Sequence, residues 1–296
     1  MVVNPASGKG RGGRLVQPVL KALAAVCGGA KVAHALTARA GDEITIAQQA
    51  ITQGHRRIVA VGGDGTWSNV GNAILRSGKD AALGLVAGGT GCDLAKSLDV
   101  PAQDPAAAAR VVAAGHTRAI DVGTVENRHF LNVVGFGFDI AVIEDSWRVR
   151  YLRGAPLYLY CAVRQLYFFP GFPVEMAVDG EPGRREDMMM LVIANARVFG
   201  GGFRIAPTAD LGDGQLDAVA FTNMPRRRRF PIMLSLLRGT HAKAPEVRVR
   251  RAATFRLQFA GPPAYETDGE WNRAGSSELT IGTRPGALRV LVPPPA

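Results

Sequence analysis

The stretch Val59-Ala60-Val61-Gly62-Gly63-Asp64-Gly65-Thr66-Trp67-Ser68-Asn69-Val70 constrains the fold of this chain most, because it joins a strand-like run to a helix-like run through a turn able to hold phosphate. Upstream, Arg57 to Val61 is a short β-branched run suited to a buried parallel strand; downstream, Val70, Ala73, Ile74 and Leu75 fall on one helical face. Glycines at 62, 63 and 65 remove Cβ atoms and permit positive φ, so backbone N–H groups can converge on an anion at the positive end of the next helix. A carboxylate there, Asp64, would repel bound phosphates unless a divalent cation lay between. It therefore points to Mg²⁺ with a nucleotide rather than to a bare phosphate site.

Alone, such a turn fits many strand-to-helix junctions; its weight comes from its company. Asn4-Pro5-Ala6-Ser7-Gly8-Lys9-Gly10 follows a stub strand and precedes a helical run from about Gly13 to Val26, with Leu15, Val19, Leu20 and Leu23 on one face. The stub is short for a first strand, which predicts a start upstream of Met1. A strand from Lys31 to Leu36, Thr37 and a helix from Asp42 to Gln53 lead into the strand at Arg57. After a helix ending near Arg76, Leu83 to Val86 reads as another buried strand, and Ala87-Gly88-Gly89-Thr90-Gly91-Cys92-Asp93 as a third glycine-rich turn, before a helix from Leu94 to Leu98. This β-α-β-α-β order predicts an open α/β sheet whose loops cluster at the carboxyl ends of the strands, where ligands bind.

Pro101 and Pro105 punctuate a turn before an Ala-rich helix, Ala106 to Ala114, that Gly115 caps. From Thr117 the texture changes to alternating strand-like segments: Arg118–Val125, His129–Val134, Val174–Val178, Met188–Ala194, Leu216–Phe221, Val247–Phe259 and Leu288–Val292. Helical interruptions cover Ile140 to Phe169, broken near Gly154 and Pro156, and Arg226 to Leu237. The expectation is an α/β domain over 1–115 and a mainly antiparallel β domain over 116–296, with a last strand near 287–292 free to return to the first domain. A chain of 296 residues, 47% hydrophobic, is large enough for two cores.

The net charge of +10 favours an anionic partner: nucleotide, nucleic acid or acidic membrane surface. Cys27, Cys92 and Cys161 are few, odd in number and widely spaced, which argues against a disulfide framework or zinc site and for a reducing cytoplasm. No apolar stretch approaches bilayer-spanning length. Asp210-Leu211-Gly212-Asp213-Gly214-Gln215 is a further acidic turn, reading equally as a solvated loop or as a place for a hard cation held partly by carbonyl oxygens.

Taken together, Asn4-Pro5-x-Ser7-Gly8, Thr37, Gly62-Gly63-Asp64-Gly65-Thr66, Gly89-Thr90-Gly91-x-Asp93 and Asp268-Gly269-Glu270 resemble the diacylglycerol kinase catalytic-domain family, which includes bacterial lipid kinases and the sphingosine and ceramide kinases. The resemblance spans nearly the whole chain. It implies an N-terminal nucleotide-binding α/β domain, a C-terminal β-sandwich and an active site in the cleft between them. It also implies transfer of the ATP γ-phosphoryl group to a lipid hydroxyl, with Mg²⁺. By similarity, Thr37, Gly62, Gly63, Asp64, Gly65, Thr66, Trp67, Ser68, Gly89, Thr90 and Gly91, with Asn4 and Ser7 nearby, form the ATP site. Asp64 and Asp93 join the carboxylate network around the catalytic Mg²⁺. The resemblance further implies that Asp268 and Glu270 are catalytic, with Glu270 as the base. The same similarity implies that Asp213, with the carbonyls of Asp210 and Gln215, would hold a structural Mg²⁺. Two positions depart from the common bacterial pattern: Ser68-Asn69 stands where many relatives carry Asn-Glu, and Cys92 where they carry Asn. A serine hydroxyl still bonds phosphate or backbone, whereas Asn69 and Cys92 remove a charge and an amide and alter the fine geometry of the metal network.

Pro225-Arg226-Arg227-Arg228-Arg229-Phe230 places four cations at a helix start, where the macrodipole disfavours them. With Arg148, Arg150, Arg153 and the aromatics Tyr151, Tyr158, Tyr160, Tyr167, Phe168 and Phe169, they predict a face resting on anionic phospholipid at a membrane to which the enzyme is peripheral. No nucleic-acid recognition signature is present. The competing readings are an NAD kinase-like enzyme with a soluble substrate, and a non-catalytic lipid-binding relative. Which lipid is used stays open, as does oligomeric state, a homodimer included.

Overall fold

Apolar residues run unbroken through 58–61 and 82–87, and the strands they form are buried along both faces, as a parallel sheet covered by helices requires. The structure is a computed structural model that describes residues 1–29, 31–153 and 155–294. Its first elements are β1 (Val2–Val3), α1 (Ser7–Val26), β2 (Ala35–Leu36), α2 (Asp42–Thr52), β3 (Arg57–Gly62), α3 (Asp64–Ser77), β4 (Ala82–Ala87), α4 (Asp93–Ser97), α5 (Pro105–Ala114) and β5 (Thr117–Val125). The strands pair in parallel in the order β2-β1-β3-β4. Helices α1 and α5 share a core with Val59, Val61 and Val86, while α2 and α3 pack on each other and on β3. Asp104 starts α5 by accepting the Ala106 N–H at 2.9 Å, and Gly115, at φ 72°, ends it.

The later elements are β6 (Arg128–Phe130), β7 (Val133–Gly137), α6 (Phe138–Arg148), α7 (Ala155–Phe168), β8 (Phe172–Val178), β9 (Arg184–Ala194), β10 (Leu216–Thr222), α8 (Arg226–Ser235), β11 (Val247–Ala252), β12 (Thr254–Phe259), β13 (Ala264–Thr267), β14 (Glu270–Arg273) and β15 (Glu278–Leu291). The chain divides into two compact units: Met1–Val122 with the chain from Pro285 onward, and Gly123–Arg284. Within the first, Arg289 and Val290 of β15 pair in parallel with Ala82 and Leu83 of β4. The second is mainly antiparallel and sandwich-like. Its central strand β9 pairs with β8 through its first half and with β7 and β10 through its second. Leu191 and Ile193 of β9 join a core between strands, whereas Met190, Val192 and Ala194 face the cluster that includes α6, α7 and α8. Alternation sends successive side chains to opposite faces, and both faces are covered. The fold is thus the expected N-terminal α/β domain followed by an antiparallel β-sandwich-like domain.

Several element limits differ from the sequence expectation. Of Lys31–Leu36 only Ala35–Leu36 is strand, because its partner β1 has two residues. Val247–Phe259 is two strands: β11 pairs with β10, and β12 with β8 and β15. His129–Val134 is likewise divided between β6 and β7. Leu288 lies in a strand that begins at Glu278, a start hidden in sequence by Pro285 and Gly286. Gly154, expected at the break between α6 and α7, lies outside the described residues. No helix among the described residues is long and apolar enough to cross a membrane.

Candidate active site

Three loops of the first unit lock together through backbone contacts that leave no room for side chains. The Gly88 and Gly89 N–H groups donate to the Gly62 carbonyl at 2.7 and 3.0 Å, joining the loop after β4 to the loop after β3. A Cβ on Gly89 would lie 2.5 Å from the Gly63 Cα. Gly8, at φ 56°, passes so close to the third loop that a Cβ would lie 2.0 Å from the Gly88 oxygen, so this position requires glycine on both counts. Asn4 ties the first loop to its surroundings: its N–H donates to Val61 O at 3.0 Å, and its side-chain amide reaches Glu43 at 3.1 Å and Thr66 Oγ1 at 3.2 Å. Ser7 Oγ donates to Asn4 O at 2.8 Å. The Thr37 N–H donates to Val3 O at 2.9 Å, placing Thr37 at the end of β2 beside Asn4.

Asp64 opens α3, and its Oδ1 accepts the N–H groups of Asp93 at 2.7 Å and Leu94 at 3.2 Å, so one carboxylate caps α4 and joins the second and third loops. Burial, and next the charge of Asp93, raise its pKa, while N–H groups of 92–94 oppose the rise. Asp93 is itself buried and pairs with Lys96 at 3.0 Å. Cys92 adopts a left-handed conformation at φ 57°; burial, then Asp64, push its thiol up to about 11, so it is a neutral thiol at pH 7. The left-handed backbone gives a physical reason for Asn at this position in the family pattern, since Asn tolerates it better than most residues.

Not every expected residue offers a side chain to a ligand. Trp67 is fully buried, with its indole N–H donating to Ala60 O at 3.1 Å and its backbone N–H to Gly63 O at 3.0 Å. It is a core residue under the loop. Ser68 is buried within α3 and Thr66 holds Asn4, whereas Thr90 is exposed. Sequence reasoning missed Glu43, which is 2% exposed and fixes both Asn4 and the Gly41 N–H; its one signal was an acidic residue in the first turn of a helix.

In the second unit, Asp268 and Gly269, at φ 50° and 89°, form a two-residue turn between paired Thr267 and Glu270. Both positive angles are those of a tight hairpin turn, which favours Asp-Gly. The Asp268 carboxylate is buried and accepts the N–H groups of Leu131, Asn132 and Val133 at 2.8, 2.8 and 3.1 Å. Its geometry is that of an anchor for the turn before β7. Glu270, next along, is exposed.

The Asp210–Gln215 loop is built by side chains closing on its own backbone: Asp210 accepts the Gly212 N–H at 3.1 Å, and Asp213 the Gln215 N–H at 3.0 Å. Arg251 lies 3.7 Å from Asp213 and 3.3 Å from Asp217. Among the described residues no group of three or more His, Cys, Asp or Glu side chains is placed to hold a metal, so a cation here would depend on carbonyl oxygens and compete with Arg251.

Residues 1–125 match the model of the diacylglycerol kinase catalytic domain, and residues 132–292 that of the YegS C-terminal NAD kinase beta sandwich-like domain. A diacylglycerol kinase of Mycobacterium tuberculosis is 30% identical over 270 residues, covering 90% of this chain and 86% of that one. A probable lipid kinase YegS-like of Pseudomonas syringae is 31% identical, with 87% and 83% covered. Among solved structures, a diacylglycerol kinase from Bacillus anthracis superposes with TM-score 0.77 at 20% identity, over 99% of this chain and 96% of that one. An NAD kinase from Archaeoglobus fulgidus shares the fold more remotely, with TM-score 0.52 at 13% identity over 98% and 92%. The chain therefore belongs to the diacylglycerol kinase catalytic-domain family, carries the YegS-type C-terminal domain, and is a kinase.

Proposed function

We propose that this kinase transfers the γ-phosphoryl group of ATP to the hydroxyl of a diacylglycerol-like or sphingoid lipid. The observation that carries the reading is the junction of three small-residue loops at the carboxyl ends of parallel strands, with Asp64 and Asp93 side by side within it. Backbone N–H groups of the glycine loop and the start of α3 are the donors suited to ATP phosphates. Asp64 and Asp93 fit a divalent cation because burial and the neighbouring Asp93 charge raise the Asp64 carboxyl, a cost that a cation relieves. Bound there, Mg²⁺ would neutralise charge developing on the phosphate oxygens. Glu270 takes the proton from the lipid hydroxyl as its oxygen forms the bond to the γ-phosphorus and ADP departs. Asp268 holds the turn that carries Glu270.

The test is transfer of labelled phosphate from ATP, with Mg²⁺, into a panel of lipids plus NAD. Label in lipid that is lost in both Asp64→Asn and Glu270→Gln supports the reading. Label in NAD alone replaces it with a soluble-substrate kinase.

An anionic bilayer is the proposed partner surface, supported by the outer face of α7. Tyr158, Leu159, Val163, Tyr167 and Phe168 are exposed on that helix, and Phe230 on α8. Arg226 stacks 4.4 Å over the Tyr167 ring, leaving a cation among aromatics, the composition found at membrane interfaces. The sequence expectation of four surface cations needs correction, however. Arg229 is 5% exposed and bonds Met224 O, Leu166 O, Phe169 O and Asn223, while Arg228 pairs with Glu246 at 2.7 Å. Of these four, Arg226 and Arg227 are exposed and suit headgroups. Reversing these two to Glu should weaken sedimentation with anionic vesicles; unchanged sedimentation would remove this partner.

A further inference from the structure

We propose that Asp139 and Glu266 share a single proton as a buried acid–carboxylate pair, and that this pair holds the Asp268-Gly269 turn in the shape that presents Glu270. The second half rests on the reading of Glu270 as the base; the first does not.

Asp139 stands in the first turn of α6, and Glu266 two residues before the hairpin turn in β13. They meet over Gly135 of β7. An added Cβ at Gly135 would lie 1.9 Å from Asp139 Oδ2 and 3.0 Å from Glu266 Oε1, so the two oxygens flank one point in space. The remaining oxygens are occupied: Asp139 Oδ1 accepts the Ile140 N–H at 2.9 Å, and Glu266 Oε2 accepts the Gly269 N–H at 2.6 Å. Asp139 Oδ2 is buried without a donor. Two ionised carboxylates there would leave that oxygen unsatisfied and place like charges together in the interior, which is costly on both counts. One proton between Oδ2 and Oε1 removes both penalties and links α6, through both side chains, to the Gly269 backbone.

Among the described residues no Lys, Arg or His bonds either carboxyl. Strand β7 carries no ionisable residue, and Asp268, the other charge acting on Glu266, is also negative. On β14, Trp271 pairs opposite Glu266, and its indole donates to Glu144 of α6 at 3.1 Å, a second tie between this helix and the hairpin. Burial pushes the Asp139 carboxyl up to about 7, and burial followed by the Asp139 charge raises Glu266. A pair of this kind titrates as a unit.

The sign of the pH effect follows. The folded pair keeps its proton to higher pH than the unfolded chain, so stability falls as pH rises from the ordinary carboxyl range through the raised one, and then levels off. Asp139→Asn places an N–H donor where the proton sits and preserves the net charge of the pair; Asp139→Ala leaves Glu266 alone.

The experiment measures thermal midpoints from pH 5 to 8, and hydrogen exchange across residues 264–273, in wild type, Asp139→Asn and Asp139→Ala. Expected are a midpoint that falls with pH in wild type relative to Asp139→Asn, and exchange across the turn at least tenfold faster in Asp139→Ala but near wild type in Asp139→Asn. Superimposable midpoint profiles for wild type and Asp139→Asn would overturn the shared proton, and unchanged exchange in Asp139→Ala would overturn the hold on the turn. Neither readout needs substrate, so a failure of the lipid-kinase reading shows separately in the phosphate-transfer assay. In that assay Asp139→Ala should lower kcat about tenfold with KM for ATP unchanged, and Asp139→Asn should restore it; a wild-type kcat in Asp139→Ala would also overturn the positioning role.

Discussion

The Asp64 carboxylate accepts the backbone N–H of Asp93 at 2.7 Å, so the first acidic residue of the candidate site also caps the helix that begins with the second. This double duty separates folding from chemistry. Asparagine is an equally good cap, whereas alanine is not.

Asp64→Asn should therefore keep a thermal midpoint close to wild type while losing phosphate transfer by at least about 100-fold, the scale of losing a transition-state electrostatic contact. Asp64→Ala should lose both activity and about 1–2 kcal/mol of stability. Parallel calorimetry and labelled-ATP assays check the pair; equal destabilisation in both variants would reduce Asp64 to a cap.

Asp268 makes a sharper structural claim. Removing its carboxylate leaves the Leu131, Asn132 and Val133 N–H groups without this acceptor, so Asp268→Ala should cost about 2–4 kcal/mol in denaturant unfolding. Asp268→Asn retains one acceptor oxygen and a residue tolerant of positive φ, and should cost about half as much.

Arg229 and its neighbour Arg227 should behave as opposites. Arg229→Met severs a buried guanidinium from four bonding oxygens and should destabilise by about 2–4 kcal/mol, while exposed Arg227→Ala should stay within about 0.5 kcal/mol. Urea midpoints distinguish them, and a neutral Arg229 variant would restore that residue to the basic surface.

The thiols should differ equally. At pH 8 a group with pKa about 11 is roughly 0.1% thiolate, and Cys92 is also buried, so iodoacetamide should modify exposed Cys27 promptly and Cys92 only on unfolding. Peptide mass mapping before and after urea gives the answer.

His241 sets an acidic limit. It is 1% exposed, its Nε2 lies 2.9 Å from Ile205 O, and burial lowers its pKa below the usual 6.5. The unfolded chain then binds the proton first, so stability is fully present above pH 6.5 and is lost as pH falls toward the depressed value, at up to about 1.4 kcal/mol per pH unit. His241→Gln should flatten the loss between pH 7 and 5 in a series of thermal midpoints.

Local sequence determined much of the first unit. Strands β3 and β4 are legible because a sheet covered on both faces demands continuous apolar runs, and the loops because close backbone approach at Gly8 and Gly89 admits no side chain. The Asp268-Gly269 turn was legible as a hairpin for the same kind of reason, since its positive φ angles select those residues. The strands flanking it were not marked, being four residues each.

Only tertiary structure decided the rest, because alternation identifies a strand but not its partner. Val247–Phe259 reads as one strand-like segment yet changes partners between Ala252 and Thr254. Arg229 looks like its three neighbours until burial gives it carbonyl oxygens from Leu166 and Phe169, some sixty residues away in sequence. Asp139 and Glu266 read as two unremarkable acids, and their chemistry arises from meeting over Gly135, where Asp139 Oδ2 is buried without a donor and Glu266 is 3% exposed. Spacing along the chain records what local backbone geometry needs, whereas the environment of a charge depends on residues far away in sequence, and the cost of burying it is set there.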